Sequence, residues 1–122
     1  MKKSKTGLQR WIDATGYSIK GIRACWQNEA AFRQDVLLSA VLFVCSFFLA
    51  RSVEQWLLLI FPLFLILIVE LLNSAVENAV DRIGHEMHHL SGRAKDMGSA
   101  AVLFCLILIG LSWIAVAWAN YS

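Results

Sequence analysis

Residues 56–81 read WLLLIFPLFLILIVELLNSAVENAVD. The uncharged run from Trp56 to Val69 leads directly into Glu70, and Asn73, Glu77 and Asp81 follow at spacings of three, four and four. At about 100° per residue, these four polar groups occupy one face roughly 80° wide on an α-helix. The run before them is that of a helix crossing a membrane, with Trp56 as an interfacial anchor. Glu70 lies about 21 Å beyond Trp56 by helical rise. That places it below the far surface rather than in bulk water. A carboxylate among Ile68, Val69, Leu71 and Leu72 is costly at that depth, and it must face a bundle interior, a partner or a water-filled pocket.

Working outward, the whole chain of 122 residues is 58% hydrophobic and 16% charged, too apolar for an ordinary soluble domain. Its length suits a single domain, residues 1–122. A net charge of +2 gives no case for nucleic-acid binding. Cys25, Cys45 and Cys105 are odd in number and widely spaced, which excludes a disulfide framework or a CxxC metal pattern. The basic start, Met1-Lys2-Lys3, has neither the apolar core nor the small-residue cleavage site of a secretory signal.

The fold class expected is all-α and membrane-embedded: an N-terminal amphipathic surface helix and three transmembrane helices. The surface helix is residues 7–27, with Leu8, Trp11, Ile12, Thr15, Ile19, Ile22 and Trp26 on one face. The alternative for this stretch is a helix packed on its own protein. The spans are residues 30–50, 56–80 and 98–118. Arg51–Gln55 forms a hinge short enough to imply an antiparallel hairpin. Pro62 is expected to kink the second span or to leave a carbonyl unpaired. Asp81–Met97 reads as a polar connection, with Gly84 and Gly92 as terminators or bends. The third span opens on Gly98-Ser-Ala-Ala101, small residues that let helices approach closely. It ends near Trp113 and Trp118, as an aromatic belt would.

Lys and Arg are grouped by topology. Seven of the eleven (Lys2, Lys3, Lys5, Arg10, Lys20, Arg23 and Arg33) precede the uncharged part of the first span, and Arg82, Arg93 and Lys95 lie in the second connection. The first hinge has only Arg51, and the C-terminal tail has none. The N-terminus and the 81–97 connection are therefore expected in the cytoplasm and the C-terminus outside.

That orientation puts Glu29, Glu70, Asn73, Glu77, Asp81, the His-rich connection, Lys95 and Asp96 at one cytoplasmic level. Such a set suits a divalent cation with a phosphate ligand, because magnesium takes one or two carboxylates and completes its shell with water and phosphate oxygens. Glu70, the deepest carboxylate, suits a general base. Bland readings stand beside these. Glu77 and Asp81 fit solvated acids where a helix leaves the bilayer. Asn73 fits a bond between helices, and Arg93 and Lys95 fit topology determinants. His85 and His89 share a helical face but specify no third zinc ligand. The residues alone reach a membrane protein with an acidic cytoplasmic site, and do not reach ATP.

Four segments resemble the prokaryotic diacylglycerol kinase family of small integral-membrane lipid kinases: ACWQNEAAFRQ (24–34), VELLNSAVE (69–77), VDRIG (80–84) and LSGRAKDMGSAAV (90–102). Gly16-Tyr-Ser18 extends the likeness. The resemblance implies phosphorylation of diacylglycerol by ATP with Mg²⁺ in the bacterial inner membrane, by a homotrimer whose sites are shared between subunits. It implies that Glu70 takes the proton from the lipid hydroxyl and that Glu29 and Glu77 hold Mg²⁺. Asn73, Lys95 and Asp96 complete the catalytic set. Arg10, Tyr17, Glu86, Met87 and His88 contact nucleotide, with Lys95 and Asp96. For the lipid it implies Arg10, Ala14, Thr15, Gly16, Tyr17, Ser18 and Ile19; Arg23, Ala24, Cys25 and Trp26; Ala31, Phe32, Arg33, Gln34 and Asp35; and Trp56, Glu70, Ser99 and Trp113. The chain departs from the family pattern at Asp35, where Glu is expected, and at Met87 and His89.

An undecaprenol kinase of the same architecture is the competing enzyme. A small multidrug transporter also places one Glu in a span, but needs four spans with that Glu in the first. A non-catalytic assembly or regulatory protein is the third alternative.

Overall fold

A computed structural model describes residues 7–84 and 88–122. Within them the chain forms four helices and no strand: α1 (Gly7–Asn28), α2 (Ala30–Leu49), α3 (Val53–Ile83) and α4 (His89–Tyr121). The last three are long and apolar enough to cross a membrane.

Glu29 alone separates α1 from α2, in an extended conformation. The end of α1 is closed by the next helix, because Arg33 Nη1 donates to Trp26 O at 2.6 Å. A cation on the last carbonyls satisfies groups that a helix terminus leaves orphaned.

The hinge between α2 and α3 is shorter than 51–55. Ser52 caps α3 by accepting from Gln55 N at 3.1 Å, and Glu54 lies in the first turn. Both features favour a helix start, so the helix begins at Val53. At the other end, α3 runs on to Ile83 and α4 begins at His89, where the sequence pointed to a polar connection over 81–97. Polarity there marks helix that has left the bilayer, not loop. Helices of 31 and 33 residues reach about 46 and 50 Å, well beyond a hydrocarbon core of about 30 Å. Gly92 sits inside α4 rather than ending a helix. His88 caps that helix, its Nδ1 accepting from Leu90 N at 3.1 Å.

Pro62 is buried within a continuous α3. Its ring removes one backbone donor and disturbs the turn before it. Trp113 Nε1 of α4 donates to Leu59 O in that turn at 3.1 Å. The carbonyl that loses its donor to Pro62 is Leu58 O, and the indole ties α4 to the next carbonyl of the same turn. Trp113 is half-buried against the core of Leu63, Ile66, Cys105 and Ile109, so only Trp118 has the exposure expected of a belt residue.

α3 is the central element, packed most extensively on α4 and next on α2. The interior holds polar side chains while large apolar ones face outward. Ser39, Ser46, Glu70, Asn73 and Ser74 are buried, while Phe48, Phe104 and Trp118 are exposed. A lipid-facing exterior produces this inversion, since helices in a bilayer gain little by hiding apolar side chains from apolar solvent. α1 keeps Leu8, Trp11, Ile12, Ile19 and Ile22 exposed, and it touches α2 and α3 but not α4.

A polar clasp ties the far ends of the three spans. Gln55 and Asn120 face each other amide to amide, Gln55 Nε2 donating to Asn120 Oδ1 at 2.9 Å and Asn120 Nδ2 to Gln55 Oε1 at 3.0 Å. Asn120 Nδ2 also donates to Leu49 O at 2.8 Å, and Arg51 Nη1 donates to Asn120 O at 2.7 Å. The Arg51 guanidinium lies 4.8 Å from the Tyr121 ring centre.

Candidate active site

The acidic stripe divides by burial. Glu70 is 5% exposed, Asn73 and Ser74 are buried, Glu77 is half-buried and Asp81 is exposed. Helical spacing sets this order, because each step of three or four residues carries the same face of α3 one turn toward its end.

Asp35 of α2 lies beside Glu70, and Glu77 and Glu29 are the next acids in its field. Glu70 Oε2, Asp35 Oδ2 and Asn73 Oδ1 are buried and have no hydrogen-bond partner among the described residues. The Asp35–Glu70 pair has a signal in the sequence: in a tight hairpin, both lie a similar number of residues from the turn. Cys25 Sγ of α1 donates to Ser74 Oγ at 3.5 Å, which draws the end of α1 onto the same face of α3. Gly98 of α4 packs on Asn73 from the other side, so closely that a Cβ would meet the amide.

Lys95 pairs with Asp81, its Nζ 2.8 Å from Oδ1, rather than with Glu70. It also lies in the field of Glu77. Asp81 therefore holds the lysine rather than standing as an isolated solvated acid. Asp96 is exposed. Among the described residues no three His, Cys, Asp or Glu side chains are close enough to enclose a metal ion.

The residues expected at a nucleotide are not gathered within one chain. Arg10 and Tyr17 are exposed on α1, which does not touch α4, the helix of Lys95 and Asp96. His88 is occupied as a cap and stacks on His89, ring centres 4.8 Å apart. Glu86 and Met87 lie outside the described residues, as does His85.

Several residues expected at the lipid do come together. A groove of 580 Å³ runs between α1, α2 and α3, lined by Ile19, Arg23, Trp26 and Phe32 with Ile22, Val36, Leu67 and Leu71. A second cavity of 580 Å³ is lined by Ser18, Ala24, Cys25 and Glu29 opposite Ser74 and Asn78. Ala14, Gly16, Ala31, Gln34 and Ser99 are exposed. Thr15 and Ser18 return their hydroxyls to Trp11 O and Ala14 O, and Arg33 is committed to Trp26 O. Trp56 packs against Phe43 and Phe47 near the opposite end of the bundle and donates to Ser46 Oγ at 3.1 Å. The indole N–H groups of Trp56 and Trp113 both serve helix packing here.

Three membrane-crossing helices around a buried carboxylate, with more acids where the helices emerge, define a small polytopic membrane protein with an acidic interfacial site. The profile of the prokaryotic diacylglycerol kinase family matches residues 16–117. The chain is 50% identical to the diacylglycerol kinase of Escherichia coli K12 over 124 aligned positions, covering all of both chains. It is 50% identical to that of Pseudomonas aeruginosa, with 93% of each chain covered. Against that of Haemophilus influenzae it is 46% identical, with 88% of this chain and 92% of the other covered. The chain belongs to the prokaryotic diacylglycerol kinase family.

Proposed function

We propose that this chain phosphorylates the primary hydroxyl of diacylglycerol with ATP and Mg²⁺, giving phosphatidate at the cytoplasmic membrane surface. The observation that carries the reading is the buried Glu70 carboxylate, whose Oε2 has no partner and which has Asp35, Glu77 and Glu29 around it. Burying an acceptor in a membrane without a donor is costly. A lipid hydroxyl brings that donor, and the free oxygen can then take its proton as attack proceeds.

Glu29 and Glu77, both half-buried, fit magnesium, which takes one or two carboxylates and completes its shell with water and phosphate oxygens. When bound, Mg²⁺-ATP supplies the phosphoryl group and offsets the charge that develops on it. The remaining work is positioning. Asn73, one turn from Glu70, is held in place by Gly98. Lys95, held by Asp81 beside Glu77, directs a cation toward the phosphates. The groove of Ile19, Trp26 and Phe32 receives acyl chains, with α1 lying on the membrane through its exposed Leu, Ile and Trp side chains.

Because α1 and α4 do not meet, Arg10 and Tyr17 join Lys95, Asp96 and His88 only if chains associate. A homotrimer with shared sites provides this. The Lys/Arg distribution supports a cytoplasmic N-terminus and an outside C-terminus, which suits a bacterial inner membrane.

The test is a radiolabel transfer assay on protein purified in detergent, with ATP, Mg²⁺ and either diacylglycerol or undecaprenol. Phosphatidate is the expected product. Preference for undecaprenol would replace the substrate assigned here, and no transfer to either lipid would sink the kinase reading.

A further inference from the structure

Four buried side-chain oxygens lack a hydrogen-bond partner among the described residues: Asp35 Oδ2, Ser39 Oγ, Glu70 Oε2 and Asn73 Oδ1. Asp35 and Ser39 are a helical turn apart on α2, and Glu70 and Asn73 are a turn apart on α3. Their chemistry differs. The carboxylate and amide oxygens are acceptors, whereas Ser39 brings a proton and needs an acceptor.

Ser39 differs from the helical hydroxyls that bond to their own backbone and is the one whose oxygen is buried without any partner among the described residues. Thr15, Ser18 and Ser46 return theirs to Trp11 O, Ala14 O and Phe43 O at 2.8, 2.9 and 2.5 Å, the common habit of Ser and Thr in helices. Ser39, only 5% exposed, does not. It lines an apolar groove of 220 Å³ with Phe43, Leu63 and Phe64. Val36 and Leu67 belong both to this groove and to the larger one along α1, so Ser39 stands where the lipid path continues from the level of Glu70.

We propose that Ser39 donates a hydrogen bond to an ester carbonyl of the acylglycerol whose primary hydroxyl lies at Glu70, so that ester linkage is itself recognised. The proposal rests on the reading of Glu70 as the receiver of that hydroxyl. An acylglycerol offers a donor at one end of its backbone, then carbonyl acceptors, then chains. The protein offers the complement in the same order. Acceptors stand at Asp35 and Glu70, a donor stands at Ser39 about 6 Å further along α2, and an apolar groove lies beside it. A long-chain alcohol without an ester leaves the Ser39 hydroxyl unsatisfied, and a site built to bond a polar group discriminates against ligands that lack it.

The experiment compares kcat/KM for 1,2-dioctanoylglycerol with that for the matched 1,2-dioctylglycerol diether, which keeps the hydroxyl and chain length but has no carbonyl. The unaltered full-length protein is expected to prefer the diester. Ser39→Ala should lower the diester-to-diether ratio roughly three- to ten-fold, mainly through KM, and Ser39→Thr should retain it. An unaltered ratio in Ser39→Ala overturns the proposal whatever happens to the absolute rate. Absence of any diester preference in the unaltered protein overturns it too, without recourse to a variant that must fold. A Glu70→Gln protein that still makes phosphatidate defeats the Glu70 reading instead, an outcome read separately from the ester ratio.

Discussion

Gly98 of α4 lies against the amide of Asn73 on α3: a Cβ on Gly98 would stand 3.0 Å from Asn73 Cγ and overlap Oδ1. Gly98→Ala must therefore push the two helices apart or turn Asn73 away. Overpacking of this kind costs about 1–3 kcal/mol. Both a lower Tm in detergent and at least a ten-fold slower phosphatidate formation are expected, because Asn73 is one turn from Glu70. Gly92→Ala provides the contrast on the same helix. Nothing lies within 4 Å of the Cβ it would add, so it should be neutral or slightly stabilising, as alanine is the better helix former.

Glu70→Gln keeps the shape of the side chain and removes its capacity to take a proton. Turnover should fall by roughly 10² to 10⁴ while Tm and oligomer size hold. Normal turnover would remove Glu70 from the chemistry.

Glu77→Gln should act differently. Its expected signature is a raised Mg²⁺ requirement and a raised KM for ATP, with the KM for lipid near that of the unaltered protein. A titration of rate against Mg²⁺ distinguishes the two carboxylates, and identical profiles for both variants would contradict the split by depth.

Trp113→Phe removes the indole donor from Leu59 O while keeping most of the aromatic packing. A loss of about 1 kcal/mol is expected, read as a shift in the unfolding midpoint. Pro62→Ala restores a backbone donor in the same turn. The two changes should be non-additive, with Trp113→Phe costing less in the Pro62→Ala background. An additive double-mutant cycle would show that the indole bond and the proline turn are independent.

The second span was legible because Trp56–Val69 has no charge and the four polar residues after it share a face. Gly98 as a close-approach residue was legible for a similar reason, since a run of small residues has few other uses between helices. The ends of α3 and α4 were not legible. Asp81–Ile83 and His89–Met97 are polar, and in a membrane protein polarity marks water rather than loop. The destination of Lys95 was hidden as well, because its partner Asp81 lies across the connection and each alone reads as a solvated charge. Ser39 gave no sign in the sequence: a serine in an apolar helix can bond to its own backbone, and only the placement of its oxygen separates it from Ser46.

The clasp around Asn120 fixes α2 at its Leu49 end. Toward the Ala30 end of α2, Asp35 reaches the buried Glu70 of α3. The groove lined by Trp26, Phe32, Val36 and Leu67 lies between α1, α2 and α3 at this end, and a lipid entering it comes from the surrounding bilayer. A substrate arriving by that route is drawn from a two-dimensional solution. The quantity that saturates such a site is the mole fraction of lipid in the membrane, and bulk molarity matters only through it.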